Sequence, residues 1–121
     1  MAISQKLITH YKELKRQAPD CLLLMQVGAF MQVMNEDAQS VSDVTGIKLQ
    51  MAGDVNAPVI TGGFPKSGIN KYLGQLARAG HSVAIAWQDE DKQRHIEEII
   101  RVQLEKQPKD VSSLNSVEKK T

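Results

Sequence analysis

Residues 21–34 read CLLLMQVGAFMQVM, and this stretch decides the fold. Under the two-residue period of a β-strand, its odd-numbered positions form one apolar face. The other face begins with Leu22 and Leu24 and then carries Gln26, Gly28, Phe30, Gln32 and Met34. The pattern predicts either two strands or one strand bent at Gly28, with the odd-numbered face against a core.

Phe30 lies between two glutamines on the second face, just past a glycine. An aromatic ring with amide neighbours can stack on a nucleobase while an amide hydrogen-bonds the edge of that base. The alternative is that Phe30 packs under a loop or helix, because phenylalanine is more often buried. The residues alone leave both interpretations open.

Composition limits the function classes. The chain has 121 residues, which suits one domain with a single core. Its 15 basic and 14 acidic residues give a net charge of +1, so any affinity for DNA should be weak. A single cysteine, Cys21, excludes an internal disulfide and favours a reducing compartment. The apolar run Cys21 to Met25 is too short to span a bilayer, and the N-terminus lacks a secretory apolar segment, so we expect a cytoplasmic protein without membrane contact.

Helical spacing flanks this stretch on both sides. Residues 3–17 predict a helix that ends before Pro19, with Lys12, Lys15 and Arg16 toward solvent and an apolar stripe of Leu7, Ile8, Tyr11 and Leu14. After it, Asn35 is the expected cap of a short helix that Gly46 closes, with inner positions Ala38, Val41 and Val44.

The second half of the domain predicts further strands around one clear helix. Residues 47–51 alternate as a half-buried strand, and residues 58–61 form a second strand, expected at an edge because of Pro58. Ser67 caps the helix and Gly80 stops it, with core positions Ile69, Tyr72, Leu73, Leu76 and Ala77. Residues 82–87 read as a buried strand, whereas residues 95–104 fit both helix and strand periods. We therefore expect a domain over residues 1–104 and a mobile tail or linker over residues 105–121.

No motif predicts catalysis or a bound cofactor. His10, His81 and His95 fall on separate elements without metal-site spacing, and residues 89–91 are expected to form a solvated turn and helix cap. Residues 62–68 superficially resemble a phosphate loop. Pro65 stands where that loop needs a glycine and removes a backbone amide, so we expect neither ATP binding nor enzyme activity.

The stretch Gly28-Ala29-Phe30-Met31-Gln32 resembles a motif of the N-terminal mismatch-recognition domain of the MutS family of DNA mismatch-repair proteins. The family's helix ending in a proline, its Leu-Leu-rich strand and its Gly-Asp-Phe-Tyr-Glu motif are similar to residues 19–32. Its Ala-Gly-Ile-Pro stretch, its Tyr-Leu helix and its Gly-x-Ser-Val-Ala-Ile strand are matched without a gap by residues 62–88. The resemblance covers about residues 5–104.

The resemblance implies a domain that mixes helices and strands (α/β in the broad sense, α+β in the strict one), with a small mixed sheet flanked by helices. It implies that Phe30 enters the DNA minor groove and stacks on a mispaired base, with Gln32 where the family's Glu hydrogen-bonds that base. Gly28, Lys48 and Lys66 are expected as further DNA-binding residues. The resemblance also favours a strand within residues 95–104, because the family's Val-Val-Arg-Ile-Val stretch aligns with residues 99–103.

Several positions depart from the family pattern. Met51 and Ala52 replace a Lys-Arg pair, while Ala29 and Met31 replace an Asp and a Tyr. The family continues into connector, lever, clamp and ATPase domains, so we expect no ATP switch within this chain and a protein partner that supplies clamp or catalytic functions. The leading hypothesis is a noncatalytic module that probes mispaired or distorted double-stranded DNA with Phe30 and Gln32. The alternatives are a protein-interaction domain that kept the fold and a fragment of a longer repair protein.

Overall fold

The computed structural model describes residues 4–102, which form one sheet and the helices that pack on it. The strands are β1 (Leu22–Val27), β2 (Phe30–Met34), β3 (Gln50–Asp54), β4 (Ala57–Pro65), β5 (Val83–Gln88) and β6 (Arg94–Ile100). The helices are α1 (Gln5–Gln17), α2 (Asn35–Thr45) and α3 (Ile69–Arg78), and a short 3₁₀ turn, Lys66–Gly68, precedes α3.

The strand order is β3-β4-β2-β1-β5-β6. Strands β1 and β5 run parallel, and the other neighbours are antiparallel. This arrangement confirms the predicted small mixed sheet flanked by helices. The parallel pair is central and apolar on both faces, as expected for strands covered from both sides.

Residues 21–34 form two strands, and the prediction of one unbroken odd-numbered face is wrong. A two-residue turn joins β1 to β2, so that Val27 pairs with Phe30 and Met25 pairs with Gln32. Paired residues on neighbouring strands point to the same side of a sheet. The turn therefore exchanges the parity, and Phe30 and Gln32 share a face with Met25 and Val27.

Both faces carry a core. On the face that we call the first face, α1 packs against the sheet through a cluster made of Ile8, Tyr11, Leu14, Ala18, Cys21, Leu23, Met25, Met34, Val59, Ala84 and Ala86. On the second face, α2 and α3 cover a cluster made of Leu22, Leu24, Met31, Val33, Ala38, Val41, Phe64, Leu76, Val83 and Ile85. Because both faces of β1 are buried, almost every residue of that strand is apolar.

The ends of the helices differ from the predicted caps. Ser4 caps α1 by accepting a hydrogen bond from the Leu7 amide. Asn35 is the first residue of α2, with a φ of 56°, and makes no capping hydrogen bond. Ser67 lies in the 3₁₀ turn and likewise does not cap α3. The predicted stop at Gly46 is confirmed, because its φ of 80° is the left-handed conformation that glycine adopts without strain.

The predicted core stripes of α1 and α3 are largely confirmed. Ile8, Tyr11 and Leu14 are buried in α1, and Leu76 is fully buried in α3. Tyr72 is only half-buried, and its ring stacks on Phe64 with centroids 4.1 Å apart.

Strand β3 begins at Gln50, later than predicted, and Met51 is exposed rather than half-buried. The half-buried Ile47 and Leu49 precede it and pack against the second-face cluster. Strand β4 is not an edge strand, because β3 takes that place. Pro58 is tolerated because it pairs only with Gly53 of β3, whereas pairing with β2 starts at Thr61.

Strand β6 confirms the strand interpretation for residues 95–100, since it pairs antiparallel with β5. The turn predicted at residues 89–91 is present, and Asp89 accepts hydrogen bonds from the Asp91 and Gln93 amides. It leads into β6, so the predicted helix cap is wrong. The domain boundary predicted at residue 104 and the tail predicted over residues 105–121 lie outside the described residues.

Candidate functional site

Helix α1 covers only part of the first face and leaves an open groove beside β2. The groove has a volume of about 350 Å³ and is lined by Val27, Phe30, Gln32, Lys48, Gln50, Thr61, Gly62 and Gly63. Strands β1, β2, β3 and β4 and the segment before β3 contribute these residues. Three of the predicted site residues, Phe30, Gln32 and Lys48, therefore meet in one place.

Phe30 is the first residue of β2, and 46% of its surface is exposed. Of the two interpretations that the residues leave open, the accessible ring is confirmed, and the ring packed under a loop or helix is wrong. Gln32 follows two residues later on the same strand and points to the same side of the sheet. The ring and the amide thus stand side by side on the open groove.

Two adjacent glycines shape the side of the groove formed by β4. Gly63 pairs with Gln32, and a Cβ atom at Gly63 would lie only 2.9 Å from the backbone oxygen of Met31. A Cβ atom at Gly62 would lie 2.9 Å from Cδ1 of Ile47. The glycines that superficially resemble a phosphate loop therefore permit close approach of neighbouring atoms in the sheet.

The charge around the groove is positive. Lys48 is the charged residue among the lining residues. Lys66 lies beside the β1–β2 turn, where its amide donates a 2.8 Å hydrogen bond to the oxygen of Ala29. Within residues 4–102 the basic partners of ion pairs are Lys15, His95 and Arg101, so neither of these two lysines is neutralised by a described carboxylate.

Gly28 does not line the groove but starts the turn that leads to Phe30. Its φ is 62°, whereas Ala29 does not have a positive φ, which is typical of a type II′ turn with glycine first. The Gly28 amide donates to Oε1 of Gln88, and its oxygen accepts from Nε2 of Gln26, each at 2.9 Å. The expectation that Gln26 flanks Phe30 on the same face is wrong: Gln26 is buried on the second face.

A buried polar cluster under α1 was missed in the sequence. Asp37 accepts hydrogen bonds from the Tyr11 hydroxyl at 2.9 Å and the Leu23 amide at 3.1 Å, and it pairs with Lys15 at 3.0 Å. Lys15 thus turns inward, against the prediction that it faces solvent. Tyr11 gave the available signal, because a tyrosine in an apolar stripe needs a partner for its hydroxyl.

Burial sets the protonation behaviour of three groups. It raises the pKa of Tyr11 well above its usual 10.0, and the nearby charge of Asp37 adds to this rise. Burial also raises the pKa of the Cys21 thiol, which is free in this structure. It lowers the pKa of Arg94, whose Nε donates to the backbone oxygen of Gln26 at 2.6 Å.

Two kinds of feature are absent from residues 4–102. In this range, no three or more His, Cys, Asp or Glu side chains are grouped so that they could hold a metal ion. No helix described here has the length and apolar character needed to cross a membrane.

The fold and the groove define a small α+β domain that displays an aromatic ring and an amide on the open part of a mixed sheet. A family model described as MutS domain I matches residues 5–113, and the chain belongs to this family. The DNA mismatch repair protein MutS of Flavobacterium psychrophilum is 42% identical over 87 residues, which is 70% of this chain and 10% of that protein.

Two other curated relatives match to a similar extent. The DNA mismatch repair protein MutS of Porphyromonas gingivalis is 36% identical over 93 residues, covering 76% of this chain and 10% of the relative. The MutS protein of Methanothrix thermoacetophila is 38% identical over 87 residues, covering 70% of this chain and 10% of the relative. The chain thus spans about a tenth of the length of the curated relatives that it matches.

Proposed function

We propose that this domain binds double-stranded DNA through the open groove and probes mispaired or distorted sites with Phe30. The observation that carries the proposal is the exposed Phe30 ring beside Gln32 on the first face. Its membership of the MutS domain I family, whose curated relatives are named DNA mismatch repair proteins, supports the same function.

A flat apolar ring suits this task. A ring inserted between base steps replaces lost base stacking and favours a kink in the duplex. Unstacking costs least where pairing is already broken, so an inserted ring gains more at a mispair than at a matched pair. Phe30 lies at the start of a strand with its ring outside the core, so it can enter a duplex without unfolding the sheet.

Gln32 supplies a neutral hydrogen-bonding group beside that ring. An amide both donates and accepts, whereas a carboxylate only accepts and carries a charge that DNA phosphates repel. We expect Gln32→Glu to weaken binding slightly through this repulsion, or to sharpen the choice of base if a single accepted hydrogen bond is sufficient. Fluorescence anisotropy with a panel of mispairs separates these two outcomes.

The charge of the domain predicts weak binding. Lys48 lines the groove and Lys66 lies beside its turn, and the net charge of the chain is only +1. Each neutralised phosphate contributes about 0.9 to the slope of log affinity against log salt concentration. Two contacts would therefore give a slope of about −1.8, and Lys48→Ala should make it shallower by about 0.9.

The decisive experiment compares matched and mismatched duplexes at low salt. We expect the chain to prefer the mismatched duplex and Phe30→Ala to abolish this preference. Met51→Ala is the matched control, because Met51 is also an exposed apolar residue, 66% accessible, but lies on edge strand β3 outside the groove lining. Equal affinity for both duplexes, unchanged by Phe30→Ala, would favour a protein-interaction domain instead.

We further propose that this chain contributes binding alone. The Lys-Ser pair that resembles a phosphate loop lies in the 3₁₀ turn after Pro65, and the glycines before it, Gly62 and Gly63, belong to strand β4 instead of a phosphate-binding loop. Nucleotide hydrolysis and clamp closure would then come from another domain or a protein partner. Isothermal calorimetry with ATP and magnesium should give no saturable heat, and saturable binding would contradict this assignment.

A further inference from the structure

The turn that presents Phe30 protrudes without packing support. Gly28 and Ala29 are both exposed, and a Cβ atom at Gly28 would meet no atom within 4 Å. In a two-residue hairpin, the residue after the turn takes its position from the turn itself. The placement of Phe30 therefore depends on whatever holds these two residues.

Hydrogen bonds hold the turn from both sides. On one side, the amide of Lys66 donates to the oxygen of Ala29. On the other side, Oε1 of Gln88 accepts from the Gly28 amide, across 60 positions of sequence. Gln88 is the last residue of β5, so this contact ties the turn to the most buried strand pair of the sheet.

The side chain of Gln26 links the turn to the end of β5. Its Nε2 donates to the Gly28 oxygen, while its Oε1 accepts from the Gln88 amide at 2.8 Å. The two glutamines are thus joined to each other and to both backbone groups of Gly28. Arg94 adds a hydrogen bond to the Gln26 oxygen from β6.

We infer that Gln88 is a positioning residue, which fixes the β1–β2 turn so that Phe30 is already oriented for insertion before DNA binds. A recognition group is effective when neighbouring hydrogen bonds hold it within about 0.5 Å of its working position. Without the Gln88 acceptor, the turn would sample other orientations, and Phe30 would lose part of its advantage at a mispair. The inference rests on the proposed function of Phe30.

The test uses three variants of the full chain. Gln88→Met keeps the size of the side chain but removes the acceptor, whereas Gln88→Glu keeps an acceptor for the Gly28 amide. Gln39→Met is the control, because Gln39 is an exposed glutamine of α2 whose side chain contacts Asp43. The readouts are the ratio of affinities for mismatched and matched duplex, and hydrogen exchange at the Gly28 amide by NMR.

We expect Gln88→Met to lower the affinity ratio by about fivefold, the value of one hydrogen bond, and to speed exchange at Gly28. Gln88→Glu should restore the ratio and the protection even if its charge weakens binding to both duplexes equally. Gln39→Met should change neither readout.

The possible failures are distinguishable. If Phe30→Ala abolishes the preference but Gln88→Met leaves the ratio intact, the positioning role is wrong and the proposed function stands. If the unaltered chain has no preference, both are wrong, and exchange at Gly28 then reports only how the turn is held. A ratio lost in Gln88→Met and not restored in Gln88→Glu would also overturn the role.

Discussion

The chain has two phenylalanines, and they lie almost side by side on opposite faces of the sheet. Phe30 pairs with Pro65, and the next pair along the same two strands joins Met31 and Phe64. Phe64 is 2% exposed and stacks on Tyr72 under α3, whereas Phe30 is 46% exposed on the open groove. One step along β2 thus separates a ring that stabilises the fold from a ring that is free to contact a ligand.

The difference follows from which helices cover each face. On the second face, α2 and α3 close over the β2–β4 pair, so any large apolar side chain there is buried. On the first face, α1 packs on a buried cluster that includes β1 residues, and Phe30 and Gln32 in the groove are not part of that cluster. The two phenylalanines therefore have different roles although they lie on the same strand pair, and substituting each one should have a different effect.

The largest effect is expected for Phe64→Ala. Removing a buried aromatic side chain leaves a cavity and typically costs about 3 to 5 kcal/mol of unfolding free energy. The stacked ring of Tyr72 would also lose its partner. Urea unfolding followed by circular dichroism measures the change, and a loss below about 1 kcal/mol would contradict the placement of this ring in the core.

Gly63→Ala tests whether the close approach of β4 to β2 at the groove requires a glycine. The new methyl group would clash with the backbone oxygen of Met31, and overpacking of this kind costs about 1 to 3 kcal/mol. Gly74→Ala is the matched control within α3, where the nearest atom belongs to the flexible Arg78 side chain. That substitution should stabilise the helix by about 0.5 to 1 kcal/mol, so the two variants should shift the urea midpoint in opposite directions.

Tyr11, which belongs to α1 and is buried on the first face, should make the stability of the domain depend on pH. Its pKa is raised in the folded state, so above pH 10.0 the unfolded chain loses this proton while the folded chain keeps it. Stability from this residue is thus fully present below pH 10.0 and falls by up to about 1.4 kcal/mol per pH unit as the pH rises toward the folded pKa.

Tyr11→Phe should remove this component and, at neutral pH, cost about 1 kcal/mol for the lost hydrogen bond. Unfolding free energies of both proteins between pH 8 and 11 test the expectation. Parallel pH profiles would contradict a raised pKa at Tyr11.

The positions of the helices and strands were easier to predict from the sequence than the face of the sheet to which each side chain points. Hydrophobic periodicity located α1, α3 and β5, because each carries a stripe or run that only one structure can bury. The residues alone left the exposure of Phe30 open, since phenylalanine is more often buried, and of the two glutamines around it only Gln32 shares its face. The faces of β1 and β2 were not, because a two-residue turn reverses the parity of every position after it.

The hydrogen-bonded groups were the least predictable. Gln26 and Gln88 lie 62 residues apart, and Asp37 meets Tyr11 across 26 residues. Single polar residues in a sequence have no period, and their partners are fixed only by the strand order and the packing of α1. This explains why Gln26 was assigned to the same surface as Phe30 although it lies buried on the other face.

Phe30→Ala should have the smallest effect on stability and the largest effect on recognition. About half of the ring is already in water, so its removal should cost less than about 1 kcal/mol of unfolding free energy, against the larger loss expected for Phe64→Ala. Thermal and urea unfolding of the two variants, measured beside their affinities for mismatched duplex, completes the comparison. If Phe30→Ala unfolds as easily as Phe64→Ala, the ring of Phe30 belongs to the core, and a lost preference for mispairs could then be attributed to unfolding. If it folds normally and still loses the preference, the two phenylalanines divide stability and recognition between the two faces of one strand pair.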